Sequence, residues 1–286
     1  MTTGTIREQF DEQGFVLVRG LFTQEQIADW RERALSLCSG CDGEQPPGEL
    51  ATHGFEDILL NEDILGAVKQ VLGNDLIYFG DSSLHCSPND RTFHVDARGD
   101  LDDPSCTDYG VVRCGIYLQD HTDHSGGLKV RVGSHKRALL RPGTIKRVLK
   151  RKARPATLLH TPARNLKTRT GDFIFWSLRT HHSGGAVILK GLRRLAFPPR
   201  FDALIPTFLR LPDHENRLAL FFAYGAPGEQ TERYIRDQVG RRPEAWEAST
   251  FGTLLSSDRA QKLGLSIRTD GVDAHRSVPR SDSRSL

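Results

Sequence analysis

His94, Val95 and Asp96 form a His-x-Asp tripeptide, and far downstream the chain carries His181-His182 and then Arg193-Arg194. Residues i and i+2 of an extended strand project to the same side, so His94 and Asp96 can grip one cation from neighbouring positions. One imidazole of the 181–182 pair, arriving on a second strand, would complete a set of two His and one carboxylate. That set occupies one face of an octahedron and leaves the remaining positions open, the arrangement suited to non-haem Fe(II) oxygen chemistry. A closed structural zinc site would instead require a fourth protein ligand.

These residues need a strand-rich scaffold, and the sequence supplies one. Phe15–Val18 is a short apolar run, and Thr23 stands three residues before Gln26, the spacing of a capping box. Ile27, Trp30, Ala34, Leu35 and Cys38 then recur at helical steps. A second helix is expected from Asn61, with an apolar face of Ile64, Leu65, Val68, Val71 and Leu72 and a stop at Gly73. From residue 76 the period becomes two: Leu76–Phe79, Val111–Leu118, Leu128–Val132, Phe173–Trp176 and Leu218–Tyr224 read as strands. Within the second of these, Val112, Cys114, Ile116 and Leu118 share one face, while Arg113, Tyr117 and the following Gln119 take the other. Short strands behind two packing helices imply a mainly β barrel or sandwich.

A chain of 286 residues, 37% hydrophobic, can bury one sizeable core. We expect one domain over residues 1–265 and a polar, disordered tail from 266 to 286. Neither a membrane-length apolar run nor a signal-peptide pattern is present, so a soluble, cytoplasmic protein without a membrane partner is expected. Five cysteines without repeated spacing do not suggest a disulfide framework, and Cys38 and Cys41 read as helix-end residues. Nine Lys or Arg residues and no acid lie between Lys136 and Arg154. The run lacks the interleaved aromatics of a single-strand binder, which argues against nucleic acid. A basic rim that attracts an anionic substrate is the alternative.

Several ordered segments together resemble the phytanoyl-CoA dioxygenase family of Fe(II)/2-oxoglutarate oxygenases: FDEQGFVLVRGLFTQEQI, VLGNDLIYFGDSS, FHVDARGD, GIYLQDHTDHSGGLKVRVGSHK and GDFIFWSLRTHHSGG. The resemblance implies a double-stranded β-helix (jelly-roll) core over about residues 76–225, with Fe(II), 2-oxoglutarate and dioxygen as cofactor and co-substrates. In the family a Gly-Asp pair precedes the third ligand and an arginine follows it. Gly171 lies eleven residues before His182 and Arg193 eleven after, which selects His182. A His-x-Ser pattern read from His181 makes that residue the weaker choice. The resemblance further assigns Arg193 to the distal carboxylate of 2-oxoglutarate, with Ser183 and Tyr117 as supporting hydroxyl donors.

Hydroxylation of an aliphatic C–H in a small, anionic or carrier-linked molecule is the implied activity, with release of succinate and CO2. Halogenases of this type carry a small residue where Asp96 stands, so the carboxylate favours hydroxylation. The competing readings are a non-catalytic jelly-roll that binds metal for structure or sensing, and a nucleic-acid binder acting through the basic 136–154 segment. His121 and His124, in the DHTDH segment, form a rival cluster, but the following Ser125-Gly126-Gly127 reads as a polar turn. His135, after Gly133-Ser134, is expected to be structural.

Overall fold

The computed structural model describes residues 4–38, 48–86, 93–96, 110–136, 163–192, 204–214, 217–241, 243–247 and 251–268. Among the described residues, ten strands fall into two sheets. The larger has the order β1 (Phe15–Val18), β7 (Phe173–Ser177), β4 (Val111–Tyr117), β9 (Ala219–Gly225), β2 (Leu76–Tyr78), β10 (Leu265–Ile267), and β3 (Ser82–His85) also pairs with β9. The smaller runs β6 (Ala163–Asn165), β5 (Gly127–Arg131), β8 (His182–Ala186). Every strand expected from the period-two pattern forms, within a residue or two at its ends.

Helices cover the outer face of the large sheet. The Thr23 capping box is reciprocal: Gln26 N–H donates to the Thr23 hydroxyl (3.2 Å) and Thr23 N–H to the Gln26 side chain (2.9 Å), starting α2 (Gln24–Cys38). Such a cap contributes about 1 kcal/mol. Asn61 caps α5 (Glu62–Leu72) by accepting from the Asp63 and Ile64 amides, and Gly73 ends it. Three helices precede or lie between these as α1 (Ile6–Gln13), α3 (Glu49–Thr52) and α4 (Glu56–Leu59), and α6 (Glu229–Arg241) follows β9.

β4 shows how the two faces divide. Val112, Cys114, Ile116 and Leu118 join the large core beneath the helices. Tyr117 joins a second, smaller core between the sheets, together with Leu128, Val130, Ile174 and Trp176. The alternation expected from sequence therefore separates a packing face from the barrel interior.

Gly14 is the hinge between α1 and β1, with a positive φ of 81°. A Cβ there would lie 2.3 Å from His135 Nδ1 and 2.7 Å from Thr180 Oγ1, so only glycine fits. Its carbonyl receives the Ser177 amide (2.9 Å) and the Thr180 hydroxyl (2.6 Å), pinning the turn that leads into β8. Asp172 closes the turn before β7 by accepting from the Gly20 and Arg169 amides and pairing with Arg19. On the other side of the barrel, buried Glu49 accepts the Leu84 amide (2.7 Å) and holds the free edge of β3.

Two expectations are corrected. Cys38 is bonded to Cys86 as a disulfide (Cα–Cα 5.7 Å), tying the end of α2 to the residue after β3. The partners are 48 residues apart in sequence, so local spacing cannot reveal them. Cys41 lies outside the described residues. The polar tail does not begin at 266, because Ser266 and Ile267 pair in parallel with Ile77 and Tyr78. Residues 269–286 lie outside the described residues, as does nearly all of the basic segment, from 137 onward. Among the described residues no helix is long and apolar enough to cross a membrane.

Candidate metal centre

The segment 93–96 lies alongside β8 as a further antiparallel partner. His94 and His182 exchange both backbone hydrogen bonds, 2.9 Å each way, and the Asp96 amide donates to the Leu178 carbonyl (2.8 Å). Directly opposed residues point to the same side of a sheet, so this pairing brings two distant histidines together. Asp96, two residues on, joins them. The His94 Nε2–Asp96 Oδ1 separation is 3.9 Å, and His182 Nε2 lies 3.6 Å from Asp96 Oδ2. One ligand atom from each of the three lies within 4.8 Å of the others, and among the described residues this is the group of His, Cys, Asp or Glu that could hold an ion.

The electrostatics prepare these side chains as ligands. Burial pushes the His182 imidazole down to about 4, partly opposed by Asp96 and reinforced by His94, so the ring is neutral at physiological pH. Its Nδ1 is paired with the Thr180 carbonyl (2.8 Å), which fixes the tautomer and directs Nε2 toward Asp96. Burial alone would favour the neutral acid at Asp96. Nearby His182, Arg113 and His94 outweigh it and lower the pKa, with help from a Trp176 indole bond. A neutral His182 imidazole beside an ionised Asp96 carboxylate is the donor state that a divalent cation requires.

A pocket opens over the triad, lined also by His85, Arg113, Leu128, Trp176, Gly184, Arg217 and Phe221. Arg113 pairs with Asp81, which also accepts the Tyr234 hydroxyl (2.7 Å). Arg217 is 2% exposed and precedes β9, and its Nε donates to the Gly126 carbonyl (2.6 Å). Its guanidinium lies 5.5 Å from the Tyr117 ring centre. The Tyr117 hydroxyl is buried and makes no hydrogen bond of ordinary geometry among the described residues. Burial raises its pKa, opposed by Arg217.

Of the residues singled out from sequence, His94, Asp96 and His182 converge, and Tyr117 lies behind Arg217. His181 points away: its ring packs 5.1 Å from that of Phe93, and its amide donates to the Ser134 hydroxyl (2.9 Å). Ser183 takes the opposite strand parity. It follows His182 in β8, does not line the pocket, and donates to the Gly184 carbonyl (3.1 Å). Arg193 and Arg194 lie outside the described residues. Arg217 and His85 were missed. The signal for Arg217 was present, an arginine directly ahead of the apolar run Leu218–Tyr224.

The rival cluster is closed. His121 is fully buried, its Nδ1 paired with the Ser125 carbonyl (3.1 Å) and its Nε2 with the Gln119 amide (2.9 Å). His135 pairs with the Asp11 carbonyl (3.2 Å) and is structural.

A jelly-roll barrel with a His-Asp-His triad at an open pocket defines the class of iron- and 2-oxoglutarate-dependent oxygenases. The chain belongs to the phytanoyl-CoA dioxygenase (PhyH) family, whose pattern it matches over residues 10–195. No curated protein matches the chain. Among solved structures it is similar to SnoN, a non-heme alpha ketoglutarate dependent epimerase from nogalamycin biosynthesis (TM-score 0.54, 18% identity, 77% of this chain and 79% of that one). HygX from Streptomyces hygroscopicus, with nickel and 2-oxoglutarate bound, gives a TM-score of 0.51 at 19% identity, covering 77% and 87%. EctD from S. alaskensis, with 2-oxoglutarate and 5-hydroxyectoine, gives 0.50 at 14%, covering 79% and 78%. SnoN has also been crystallised with Fe3+ and alpha ketoglutarate. At these identities the likeness establishes the fold.

Proposed function

We propose that the protein hydroxylates a C–H bond of a small organic substrate, using Fe(II) held by His94, Asp96 and His182 and consuming 2-oxoglutarate and dioxygen. The observation that carries this reading is the convergence of those three ligands on one open pocket. The donor set fits the metal: two imidazoles and an ionised carboxylate on one side, with the pocket on the other. When bound, iron and 2-oxoglutarate supply the activation of dioxygen, one oxygen atom entering succinate as CO2 leaves and the other becoming the product hydroxyl.

The protein's own part is binding and orientation. Arg217, buried, held through Nε and lining the pocket, would receive the distal carboxylate of 2-oxoglutarate, alongside Arg193, to which the sequence pattern gives that role. A guanidinium meets a carboxylate through parallel charge-assisted hydrogen bonds. The Tyr117 hydroxyl beside it would donate to the same group. Leu128, Trp176 and Phe221 give the pocket an apolar wall that limits water at the reacting centre. The basic run from 136 to 154 supports an anionic or carrier-linked substrate. Alanine substitutions at Arg147, Lys150 and Arg151 should then lower kcat/KM and flatten its salt dependence. An unchanged profile would remove that part.

Anaerobic addition of Fe(II) and then 2-oxoglutarate to the apoprotein tests the reading. A weak visible charge-transfer band should appear, and His94→Ala should abolish it. A folded wild-type protein that gives no band would refute the assignment. With substrate and oxygen-18 gas, label in the product distinguishes hydroxylation from stereochemical inversion without oxygen transfer.

A further inference from the structure

We propose that Trp176 is a positioning residue for the metal site, its indole N–H holding the Asp96 carboxylate so that one oxygen is kept for the cation. The inference rests on the metal reading above and adds to it a second layer of control. Trp176 Nε1 donates to Asp96 Oδ2 at 3.2 Å. The same indole packs against a second ligand, its ring centre 5.1 Å from that of His182. One side chain therefore touches two of the three ligands.

The sheet is shaped to admit this ring. Trp176 stands opposite Arg113 in the β4–β7 pairing, and Ile174 stands opposite Gly115. A Cβ on Gly115 would lie 3.2 Å from Trp176 Cζ3 and 3.0 Å from Phe221 Cε1. The missing side chain at 115 thus leaves a slot that the indole and the Phe221 ring share. At 2% exposure the indole N–H needs an acceptor, since a buried donor without one is costly. A phenyl ring would fill much of the same apolar wall without that need. What tryptophan adds at this position is the bond to Asp96.

The chemical consequence concerns how many positions remain open on the ion. A carboxylate can bind a metal through one oxygen or both, and the groups bonded to its oxygens bias that choice. An indole bond to Oδ2 weighs against binding through both. The facial set then keeps the sites that co-substrate and dioxygen require.

The test uses Co(II), a spectroscopic stand-in, titrated anaerobically into full-length apoprotein. Trp176 is replaced by benzothienylalanine, which keeps the bicyclic shape and exchanges N–H for sulfur. The expected result is a roughly 10- to 100-fold weaker Kd, as outer-shell partners of metal ligands typically confer, with altered cobalt d–d bands and an unchanged apoprotein Tm. Gly115→Ala, which crowds the ring, should shift Kd and spectrum in the same direction. A benzothienylalanine protein with wild-type Kd and spectrum would overturn the proposal while leaving the metal site intact. Wild-type protein that is folded and binds no cobalt would overturn the metal reading, and this inference with it.

Discussion

Two histidine clusters differ in how their ring nitrogens are committed, and that difference separates chemistry from architecture. At the His94-Asp96-His182 site, His182 spends Nδ1 on the Thr180 carbonyl and turns Nε2 toward Asp96 and an open pocket. At the other, His121 has both nitrogens paired inside the protein, and His124 stacks on His214 with ring centres 4.0 Å apart. The second cluster is denser in histidine and acid along the sequence. Density is the poorer guide. Strand geometry projects alternate side chains toward one point, whereas a turn satisfies its polar groups locally.

Substitutions should break this contrast in graded fashion. Asp96→Ala or His182→Ala should eliminate stoichiometric Fe(II) binding and lower kcat/KM by about three orders of magnitude or more, because the metal supplies the chemistry. Iron titration and single-turnover assays check this. His121→Ala should leave iron binding unchanged in the same titration.

Arg217→Met comes next. Losing a charge-assisted carboxylate pair worth up to about 3 kcal/mol should raise KM for 2-oxoglutarate by about 100-fold. Iron affinity should stay the same. An unaltered KM would return the anchor role to another residue.

His121→Ala should instead cost stability, about 2–3 kcal/mol by urea unfolding, since it strands Gln119 and the Ser125 carbonyl. The pH dependence has a definite sign. Burial first, with Arg217 and His214 adding, pushes His121 down to about 3 from an ordinary 6.5. The unfolded chain then binds the proton more tightly, so this histidine's contribution is complete above about 6.5 and is lost as pH falls toward about 3. A His121→Gln variant should show a shallower loss of Tm across that window. The smallest effect belongs to His124→Ala, which removes one partly exposed ring from a stack worth about 1 kcal/mol or less. Tm should move by only a few degrees and turnover not at all.

Much of this was legible in the sequence where the information is local. The Thr23 capping box, the Asn61 cap and the alternation along β4 depend on neighbours three or fewer residues away, and each appears as expected. His94 and Asp96 follow from a two-residue spacing, and His182 from the resemblance together with strand parity. What was not legible depends on distant pairing. Arg217 lies 35 residues after His182 in sequence and just ahead of β9, yet both line one pocket. Arg193, to which the family spacing points, lies outside the described residues. The Cys38–Cys86 bond, the parallel pairing of β10 with β2 and the arrival of His85 in the pocket likewise exist only once the sheet is assembled.

Anomalous diffraction at the iron edge, from crystals grown and loaded anaerobically with Fe(II), tests the central assignment most directly. The account predicts one strong peak bonded to His94, Asp96 and His182, at about 2.0–2.2 Å from each ligand atom. A peak beside His121, His124 and His214 with none at the triad, or no ordered iron in a folded protein, would contradict it.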